Sequence, residues 1–275
     1  MSNPRLLILG ATGFLGSTIF EFAKKSGMFD VTGTSRQLVN QLNYVSLDVT
    51  NRVDLGKTIS EQNPSIIIWS LMDQDNEMYL IENGLKNLLE IVDKRTKFLY
   101  ISTDAFFNEQ IGHYHESYAL RPTLFNSTRM SNYAKAKLTG EIIVQENHPN
   151  HIIIRTGPLY GKDGNNHIEK RTERIIKLIC NNESNINIPT NLIKTFVHVE
   201  DVANAILELC LKDHRGIIHL GPAKKESYFT FFKKRLQQLG YNNEVLCPVL
   251  DDHPNDSSLD TQFAYSILDI EFRAL

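Results

Sequence analysis

The sequence predicts an α/β fold, a doubly wound parallel sheet with a smaller, interleaved C-terminal domain. Three observations predict it. Short β-branched runs alternate with amphipathic stretches through the first half, a glycine-rich turn follows the first run directly, and the pattern changes after about residue 160. The 275 residues are enough to bury a substantial core. In such a sheet we expect a ligand at the carboxyl ends of the strands.

Six strands and four helices alternate in the first half. The strands are predicted at Arg5–Leu9, Val31–Thr34, Asn43–Val45, Ser65–Trp69, Phe98–Ser102 and Ile152–Arg155. The helices are predicted at Phe14–Lys25, Val53–Gln62, Glu77–Val92 and Asn132–Asn147.

The second half has a different rhythm, with longer polar segments. Strands are predicted at Phe196–Val197 and Ile217–Leu220, helices at Arg171–Cys180, Val202–Leu211 and Phe229–Leu239, and loops at Gly161–Lys170 and Asn181–Asn187. We therefore expect a first domain at 1–160, to which residues at about 190–215 return, and a cap formed mainly by 161–275.

Composition and charge exclude several classes of function. A net charge of −3 without runs of like charge argues against a nucleic-acid partner. The longest apolar run, Ile66–Leu71, is too short to span a bilayer, and the start M-S-N-P-R leads into a strand rather than a signal peptide. Three cysteines without C-x-x-C spacing and nine histidines without H-E-x-x-H predict no metal site. We expect a cytoplasmic protein.

The turn after the first strand reads G-A-T-G-F-L-G, with glycines at 10, 13 and 16. A Cβ at these places would block the tight turn, the approach of a pyrophosphate to the backbone, or the packing of helix on strand. An ordinary turn is the alternative, but a strand before and a helix after favour dinucleotide binding and a Rossmann-type domain. The predicted contacts are Gly10, Thr12, Gly13, Phe14, Leu15 and Gly16.

The end of the second strand predicts which dinucleotide binds. An acidic residue there would bind the free ribose hydroxyl of NAD, but the chain has Thr34, Ser35 and Arg36. The Arg36 guanidinium suits a phosphate and Ser35 can add a hydrogen bond, so NADP(H) is preferred over NAD(H). A solvated loop arginine is the alternative. Asp48 and Val49, in L-D-V-T, would contact adenine, or Asp48 would cap the next helix.

The stretch S-N-Y-A-K-A-K-L-T-G-E places Tyr133 ahead of two lysines. Chance alone gives about 0.6 Y-x-x-x-K matches in this composition, so the spacing proves little. Lys137 lies about 40° around the helix from Tyr133, whereas Lys135 lies about 200° away. The position is more informative, because Ser102 and Thr103 end the fifth strand and flank the same crevice as the glycine turn.

With these motifs the chain resembles the extended short-chain dehydrogenase/reductase superfamily. G-A-T-G-F-L-G, L-D-V-T, I-S-T-D, Y-A-K-A-K and T-F-V-H-V-E-D-V-A occur in the family's order. The S-T-D on the fifth strand and the late H-P-N-D-S-S-L-D-T resemble the dTDP-4-dehydrorhamnose reductase branch. The resemblance covers nearly the whole chain.

The resemblance implies a catalytic set of Thr103, Tyr133 and Lys137. Tyr133 would protonate a carbonyl oxygen as hydride arrives from the nicotinamide, and Lys137 would lower the tyrosine pKa and hold the nicotinamide ribose. Thr103 would bind the substrate oxygen, with Ser102 as the weaker candidate. Tyr133, Lys137, Ser70 and Leu71 would also contact the cofactor.

The predicted substrate contacts are Thr103, Asp104 and Lys194. Many extended members have arginine where this chain has Lys194, which can meet a pyrophosphate as a point charge but not through two parallel hydrogen bonds. The segment T-L-F-N-S-T-R-M-S-N between Pro122 and Tyr133 is longer than the reductases' usual approach, which implies an altered substrate wall.

The function implied is an NADPH-dependent reductase of a nucleotide-linked 4-keto-6-deoxy sugar. Two alternatives stay open. One is a nucleotide-sugar epimerase or dehydratase that retains its cofactor. The other is a non-catalytic NADP-binding regulatory subunit similar to the beta subunit of methionine adenosyltransferase. The expected partner is a nucleotide sugar; the oligomeric state is open, with a homodimer as one option.

Overall fold

A computed structural model describes residues 2–73, 75–109, 112–118 and 131–275. Seven parallel strands form its central sheet, in the order β3-β2-β1-β4-β5-β6-β11. They are β1 (Arg5–Leu9), β2 (Asp30–Ser35), β3 (Tyr44–Ser46), β4 (Ile66–Trp69), β5 (Lys97–Ile101), β6 (His151–Thr156) and β11 (Gly216–Leu220). The order reverses between β1 and β4, where such sheets bind ligands. The predicted doubly wound parallel sheet is confirmed, and β11 extends it by a strand from the second half.

Helices cover both faces of the sheet, as predicted. They are α1 (Phe14–Ser26), α2 (Arg52–Gln62), α3 (Glu77–Tyr79), α4 (Lys86–Ile91), α5 (Asn132–Asn147), α6 (Lys170–Cys180), α7 (Val199–Leu211), α8 (Tyr228–Gln238) and α9 (Gln262–Ile267). In the first half every predicted strand and helix is present, with its ends shifted by at most one residue, because hydrophobic periodicity and glycine punctuation are strong there.

One long helix departs from its predicted form. The stretch predicted as the helix Glu77–Val92 consists of α3, a π-helical turn at Leu80–Leu85 and α4. Gly84 lies in that turn, where a Cβ would come within 2.9 Å of Val49 and 3.1 Å of Trp69. The wider turn therefore packs close to the sheet. Such turns occur often beside functional sites.

Two apolar cores lie on opposite faces of the sheet. One joins the sheet to α1 and α7 through side chains such as Phe20 and Ile206, and it includes Ala264 of α9. The other joins it to α2, α4 and α5 through Trp69 and Tyr100, which are both fully buried. Burial on both faces fixes the carboxyl edge of the sheet in space, so loops at that edge stand on a rigid base.

Short strands outside the central sheet lie in the second half, and of these only the one at Val197–His198 was predicted, at Phe196–Val197, one residue from its observed position. Strands β7 (Leu159–Tyr160) and β10 (Val197–His198) pair, β8 (Ile186–Pro189) pairs with β13 (Leu246–Val249), and β9 (Leu192–Lys194) lies between β12 (Glu226–Ser227) and β14 (Asn255–Asp256). Helices α6 and α8 share an apolar cluster with β7, β8 and β13.

Three boundaries in the second half were predicted wrongly. The loop prediction Asn181–Asn187 is wrong at its end, because β8 begins at Ile186 and pairs with β13. Lys170, placed in a loop, begins α6. Helix α7 begins at Val199, earlier than predicted, because the His198 side chain accepts a hydrogen bond from the Glu200 N–H and caps it.

Segments beyond residue 160 return to the first domain. Helix α7 packs on α1, β11 pairs with β6, and α9 contacts the same core. The division at residue 160 stays a prediction. Among the helices of the described residues, none is both long and apolar enough to cross a bilayer.

Candidate active site

A cleft of about 700 Å³ lies at the carboxyl edge of the sheet and is also lined by Arg171, Lys194 and Tyr228 from the second half of the chain. Its size is in the usual range for small-molecule sites. The predicted site residues that line it are Gly10, Thr12, Gly13, Phe14, Leu15, Ser35, Arg36, Ser70, Leu71, Thr103, Asp104, Tyr133, Lys137 and Lys194. Three others, Gly16, Asp48 and Val49, are outside this lining.

The glycine turn has the geometry that its sequence predicts. Gly10 has a φ of +88°, and a Cβ there would come within 3.0 Å of the Ser70 carbonyl oxygen. Gly13 is the N-cap of α1 and supplies no side-chain acceptor to its first turn. The first N–H groups of the helix therefore point toward the cleft without a side-chain cap, which suits an anion such as a pyrophosphate.

Gly16 is needed for packing rather than for lining the cleft. A Cβ on Gly16 would lie 2.1 Å from the Gly10 carbonyl oxygen and 2.9 Å from its carbon. Only glycine allows α1 to approach the turn this closely.

The residues predicted to select the cofactor lie on one side of the cleft. Arg36 has a side chain that is 68% exposed and lies 3.7 Å from Asp73, a weak surface pair that leaves the guanidinium accessible. Ser35 is buried, and its hydroxyl accepts a hydrogen bond from the Gln37 N–H.

Asp48 and Val49 have local roles in the structure. Hydrogen bonds from the N–H and the hydroxyl of Thr50 lower the pKa of the exposed Asp48 carboxyl. The helix cap is a different residue: Asn51 accepts from the N–H groups of Val53 and Asp54 and caps α2. Val49 is buried in the core beneath α4.

Tyr133 and Thr103 both line the cleft. Ser131 caps α5 by accepting from the Ala134 N–H, which places Tyr133 in the first turn of the helix. Burial and the nearby Glu77 carboxylate raise the pKa of Tyr133 above its ordinary value, while a hydrogen bond from Thr103 acts in the opposite direction. The expectation of a lowered tyrosine pKa is therefore wrong for the protein alone. The phenol is neutral at physiological pH and can donate a proton.

Lys137 is the lysine that reaches the site. Its Nζ lies 5.9 Å from the centroid of the Tyr133 ring and is almost wholly buried. It donates to the carbonyl oxygens of Leu71 and Ile101 and lies 2.9 Å from Oε1 of Glu77. The small Gly140 lets this face of α5 pack against Tyr100, whose hydroxyl would lie 2.2 Å from an added Cβ.

Ser102 and Thr103 lie just beyond the end of β5, and their hydroxyls have different partners. The Ser102 hydroxyl donates to the buried Glu141, which forms a paired salt bridge with Arg155. The Thr103 hydroxyl accepts from the Ala105 N–H and interacts with the Tyr133 hydroxyl. This arrangement favours Thr103 over Ser102 as the active-site hydroxyl.

The two other predicted substrate residues bind each other. Nζ of Lys194 lies 3.0 Å from Oδ2 of Asp104, which also accepts from the Ser257 hydroxyl. Lys194 is mostly buried and lines the cleft beside its partner.

Sequence reasoning missed three side chains at the site. Arg171 and Tyr228 of the cap line the cleft, and the guanidinium lies 5.9 Å from the centroid of the Tyr228 ring. Glu77 pairs with Lys137 from behind the cleft wall. Arg171 and Tyr228 had no flanking motif, and an acidic residue that opens a helix is ordinarily explained by the helix dipole. The predicted long segment between Pro122 and Tyr133 lies mostly outside the described residues.

The fold and the site together define an extended short-chain dehydrogenase/reductase: a glycine-turn sheet with threonine, tyrosine and lysine at its carboxyl edge. Residues 4–273 match the model of one family within that class, described as the RmlD substrate binding domain. The chain therefore belongs to the RmlD substrate binding domain family.

Two curated proteins illustrate the relatives. The chain is 26% identical to dTDP-4-dehydrorhamnose reductase of Aggregatibacter actinomycetemcomitans, over 76% of this chain and 68% of that protein. It is 25% identical to methionine adenosyltransferase 2 subunit beta of Xenopus laevis, over 75% of this chain and 62% of that protein.

Solved structures share the fold across almost the whole chain. The dTDP-4-dehydrorhamnose reductase of Bacillus anthracis str. Ames in complex with NADP has a TM-score of 0.78 and 24% identity, covering 98% of this chain and 94% of that one. The Bordetella bronchiseptica enzyme WbmH in complex with NAD⁺ has a TM-score of 0.80 and 16% identity, covering 98% and 94%.

Proposed function

We propose that the protein is an NADPH-dependent reductase of a nucleotide-linked 4-keto-6-deoxy sugar. The observation that carries the proposal is the meeting of Thr103, Tyr133 and Lys137 in one cleft with the glycine turn. A neutral phenol beside a hydroxyl and an ammonium is suited to protonating a carbonyl oxygen during reduction. Membership of the RmlD substrate binding domain family and the likeness to a dTDP-4-dehydrorhamnose reductase support this substrate class.

The residues present fit a nicotinamide dinucleotide. Gly10 and Gly13 keep the turn free of side chains at the open start of α1, where a pyrophosphate would lie. Arg36, with no carboxylate on β2 beside it, favours the extra phosphate of NADP over NAD. When bound, the reduced cofactor would supply a hydride.

Residues of the chain would supply the proton that the substrate oxygen needs. Thr103 would hold the substrate carbonyl oxygen beside the Tyr133 hydroxyl. As hydride adds to the carbonyl carbon, the Tyr133 O–H bond breaks and its proton goes to the oxygen, which gives an alcohol and a tyrosinate that regains a proton from solvent. Lys137 stabilises that transient negative charge through its ammonium.

The cap would bind the nucleotide part of the substrate. Arg171 is exposed at the cleft and Tyr228 offers an aromatic face next to it. A cation beside an aromatic ring suits a diphosphate linked to a base.

The test is reduction of candidate sugars. Purified protein is incubated with NADPH and dTDP-, UDP-, GDP- or CDP-4-keto-6-deoxyhexoses, and NADPH absorbance is followed. We expect oxidation with at least one, and a loss of about 100-fold or more in kcat for Tyr133→Phe. Tyr79→Phe, at an exposed position, is the matched control. Absence of oxidation with all four would sink the proposal.

A non-catalytic subunit is the second candidate, favoured by the likeness to methionine adenosyltransferase 2 subunit beta. Fold and retained residues do not by themselves establish catalysis. Recovery of a stoichiometric partner enzyme in a pull-down, with that enzyme's activity unchanged by Tyr133→Phe, would favour this candidate. The remaining alternative is an epimerase or dehydratase, which would retain its cofactor through gel filtration. Dehydration is the less favoured of these two reactions, because Asp104 is paired with Lys194.

A further inference from the structure

The Lys137 ammonium lies among three oxygen atoms of the protein. It donates to the Leu71 carbonyl oxygen at 3.1 Å and to the Ile101 carbonyl oxygen at 3.3 Å, and Oε1 of Glu77 lies 2.9 Å away. Two of the three ammonium hydrogens therefore have hydrogen-bond acceptors in the protein, and the Glu77 carboxylate adds an opposite charge. Lys137 is thus held at the cleft wall by the protein before any ligand binds.

Glu77 interacts with Lys137 through its negative charge rather than through a directed hydrogen bond. Its side chain is 2% exposed, and Oε2 accepts from the Asp73 N–H at 2.6 Å. Among the described residues, Oε1 has no partner with hydrogen-bond geometry despite its short distance to Lys137. A buried carboxylate without a counter-charge is costly, so the contact is maintained by charge attraction.

Several charged or titratable groups face Tyr133. Glu77 from α3 and Asp104 from the end of β5 disfavour a negative phenol, while Arg171 from α6 favours one. The charge of an ionised Tyr133 also raises the pKa of the buried Tyr100 of β5. Nζ of Lys137 in α5 lies 5.9 Å from the centroid of the Tyr133 ring. Glu77 has the largest effect of these charges, and Asp104 is already paired with Lys194. The carboxylate of Glu77 thus partly offsets the positive charge with which the Lys137 ammonium stabilises a tyrosinate.

We propose that Glu77 is a positioning residue that holds the Lys137 ammonium at the cleft wall and offsets part of its positive charge beside Tyr133. The consequence for catalysis rests on the proposed reductase function. Reduction needs a phenol that gives its proton to the substrate oxygen, and the reverse oxidation needs a phenolate that accepts one. Glu77 therefore disfavours the phenolate form that the reverse oxidation needs.

The test measures Tyr133 directly and needs no substrate. Full-length protein labelled at the tyrosine ζ carbon is titrated by NMR, and the Tyr133 resonance is assigned as the one lost in Tyr133→Phe. We expect Tyr133 in Glu77→Gln to ionise at a pH lower than in the unsubstituted protein by about one unit or more. Glu82→Gln, an exposed glutamate in the adjacent π-helical turn, is expected to leave the titration unchanged.

Ionisation in Glu77→Gln at the same pH as in the unsubstituted protein, or none up to the same alkaline limit, would overturn the proposal. If circular dichroism shows that Glu77→Gln does not fold, the comparison is made in a Lys137→Gln background, where the change leaves no unpaired ammonium. There too, Glu77→Gln must lower the pH of ionisation. If Glu77→Gln lowers the pH at which Tyr133 ionises but the unsubstituted protein oxidises no NADPH, only the reductase function is overturned. If the protein oxidises NADPH but Glu77→Gln does not lower that pH, only the role of Glu77 is overturned.

Discussion

Nζ of Lys194 lies 3.0 Å from Oδ2 of Asp104, and the two side chains are 14% and 5% exposed. The lysine therefore neutralises a buried carboxylate of the protein instead of presenting a full charge to a substrate. Breaking such a pair from one side leaves an uncompensated buried charge.

Lys194→Met should destabilise the protein by about 3 to 5 kcal/mol, because it leaves Asp104 unpaired in the interior. Urea unfolding followed by circular dichroism measures the change. The double variant Asp104→Asn/Lys194→Met should recover much of this loss, since neither charge then remains. Equal stability of the single and double variants would show that the unpaired Asp104 carboxylate is not the cause of the loss.

Arg171→Ala should weaken substrate binding more than it slows the chemistry. Its exposed guanidinium lines the cleft beside Tyr228 and is free to meet a diphosphate. Loss of a charge-assisted hydrogen bond of about 1.5 to 3 kcal/mol corresponds to an increase in KM of about 10- to 100-fold. Steady-state kinetics with the sugar that the reductase screen identifies would measure it. Arg174→Ala, on the same helix but outside the cleft lining, should keep the original KM.

Arg36→Ala should change the preference between cofactors. The guanidinium is accessible and faces the cleft, where the extra phosphate of NADP would lie. We expect the Kd for NADPH to rise at least about 10-fold and that for NADH to change little. Fluorescence titration with each cofactor gives both values. Arg52→Ala, which removes an exposed arginine paired with Glu90 outside the cleft lining, is the control, and equal effects on NADPH and NADH would refute this role for Arg36.

Gly16→Ala and Gly56→Ala should act in opposite directions. The new Cβ at Gly16 would lie 2.1 Å from the Gly10 carbonyl oxygen, so the glycine turn must move; about 1 to 3 kcal/mol of stability should be lost, and NADPH binding with it. Gly56 lies within α2 with nothing within 4 Å of the added Cβ, so alanine there should stabilise by about 0.5 to 1 kcal/mol. Urea unfolding of both variants checks the signs.

The sequence allowed the sheet and the glycine turn to be predicted because their signals are local. Alternating β-branched runs and glycines at 10, 13 and 16 determine backbone geometry within a few residues. The same locality explains the choice of Lys137 over Lys135, since helix geometry alone separates them. Short cap strands such as β12 and β14 have two residues each, too few to show a periodicity.

The charge partners could not be predicted for a different reason. Lys194 and Asp104 come from distant parts of the chain, as do Lys137 and Glu77, and their pairing depends on how the cap and the helix after β4 pack. Helical geometry places Lys137 next to Tyr133 but says nothing of Glu77. The predicted fall in the Tyr133 pKa was wrong because burial, the largest cause of the rise, and the Glu77 carboxylate both depend on tertiary packing, which the motif does not show.

Acid should destabilise the protein partly through His219. Its ring is buried beside Arg155, at 3.5 Å, and burial together with that cation lowers the pKa of His219 to about 3. In the unfolded chain the histidine binds a proton at about its ordinary value of 6.5. The folded form thus binds fewer protons than the unfolded form between these values. The contribution of His219 is fully present above about pH 6.5 and is lost as the pH falls toward 3.

Substituting this histidine should flatten the acid side of the stability profile. Between about pH 6 and pH 4 the free energy of unfolding of His219→Gln should fall less steeply, by up to about 1.4 kcal/mol per pH unit. Urea unfolding at a series of pH values measures both slopes. His253→Gln, at an exposed position, should keep the original slope. If His219→Gln and the unsubstituted protein lose stability in parallel, then His219 is protonated in the folded state and the burial argument does not hold.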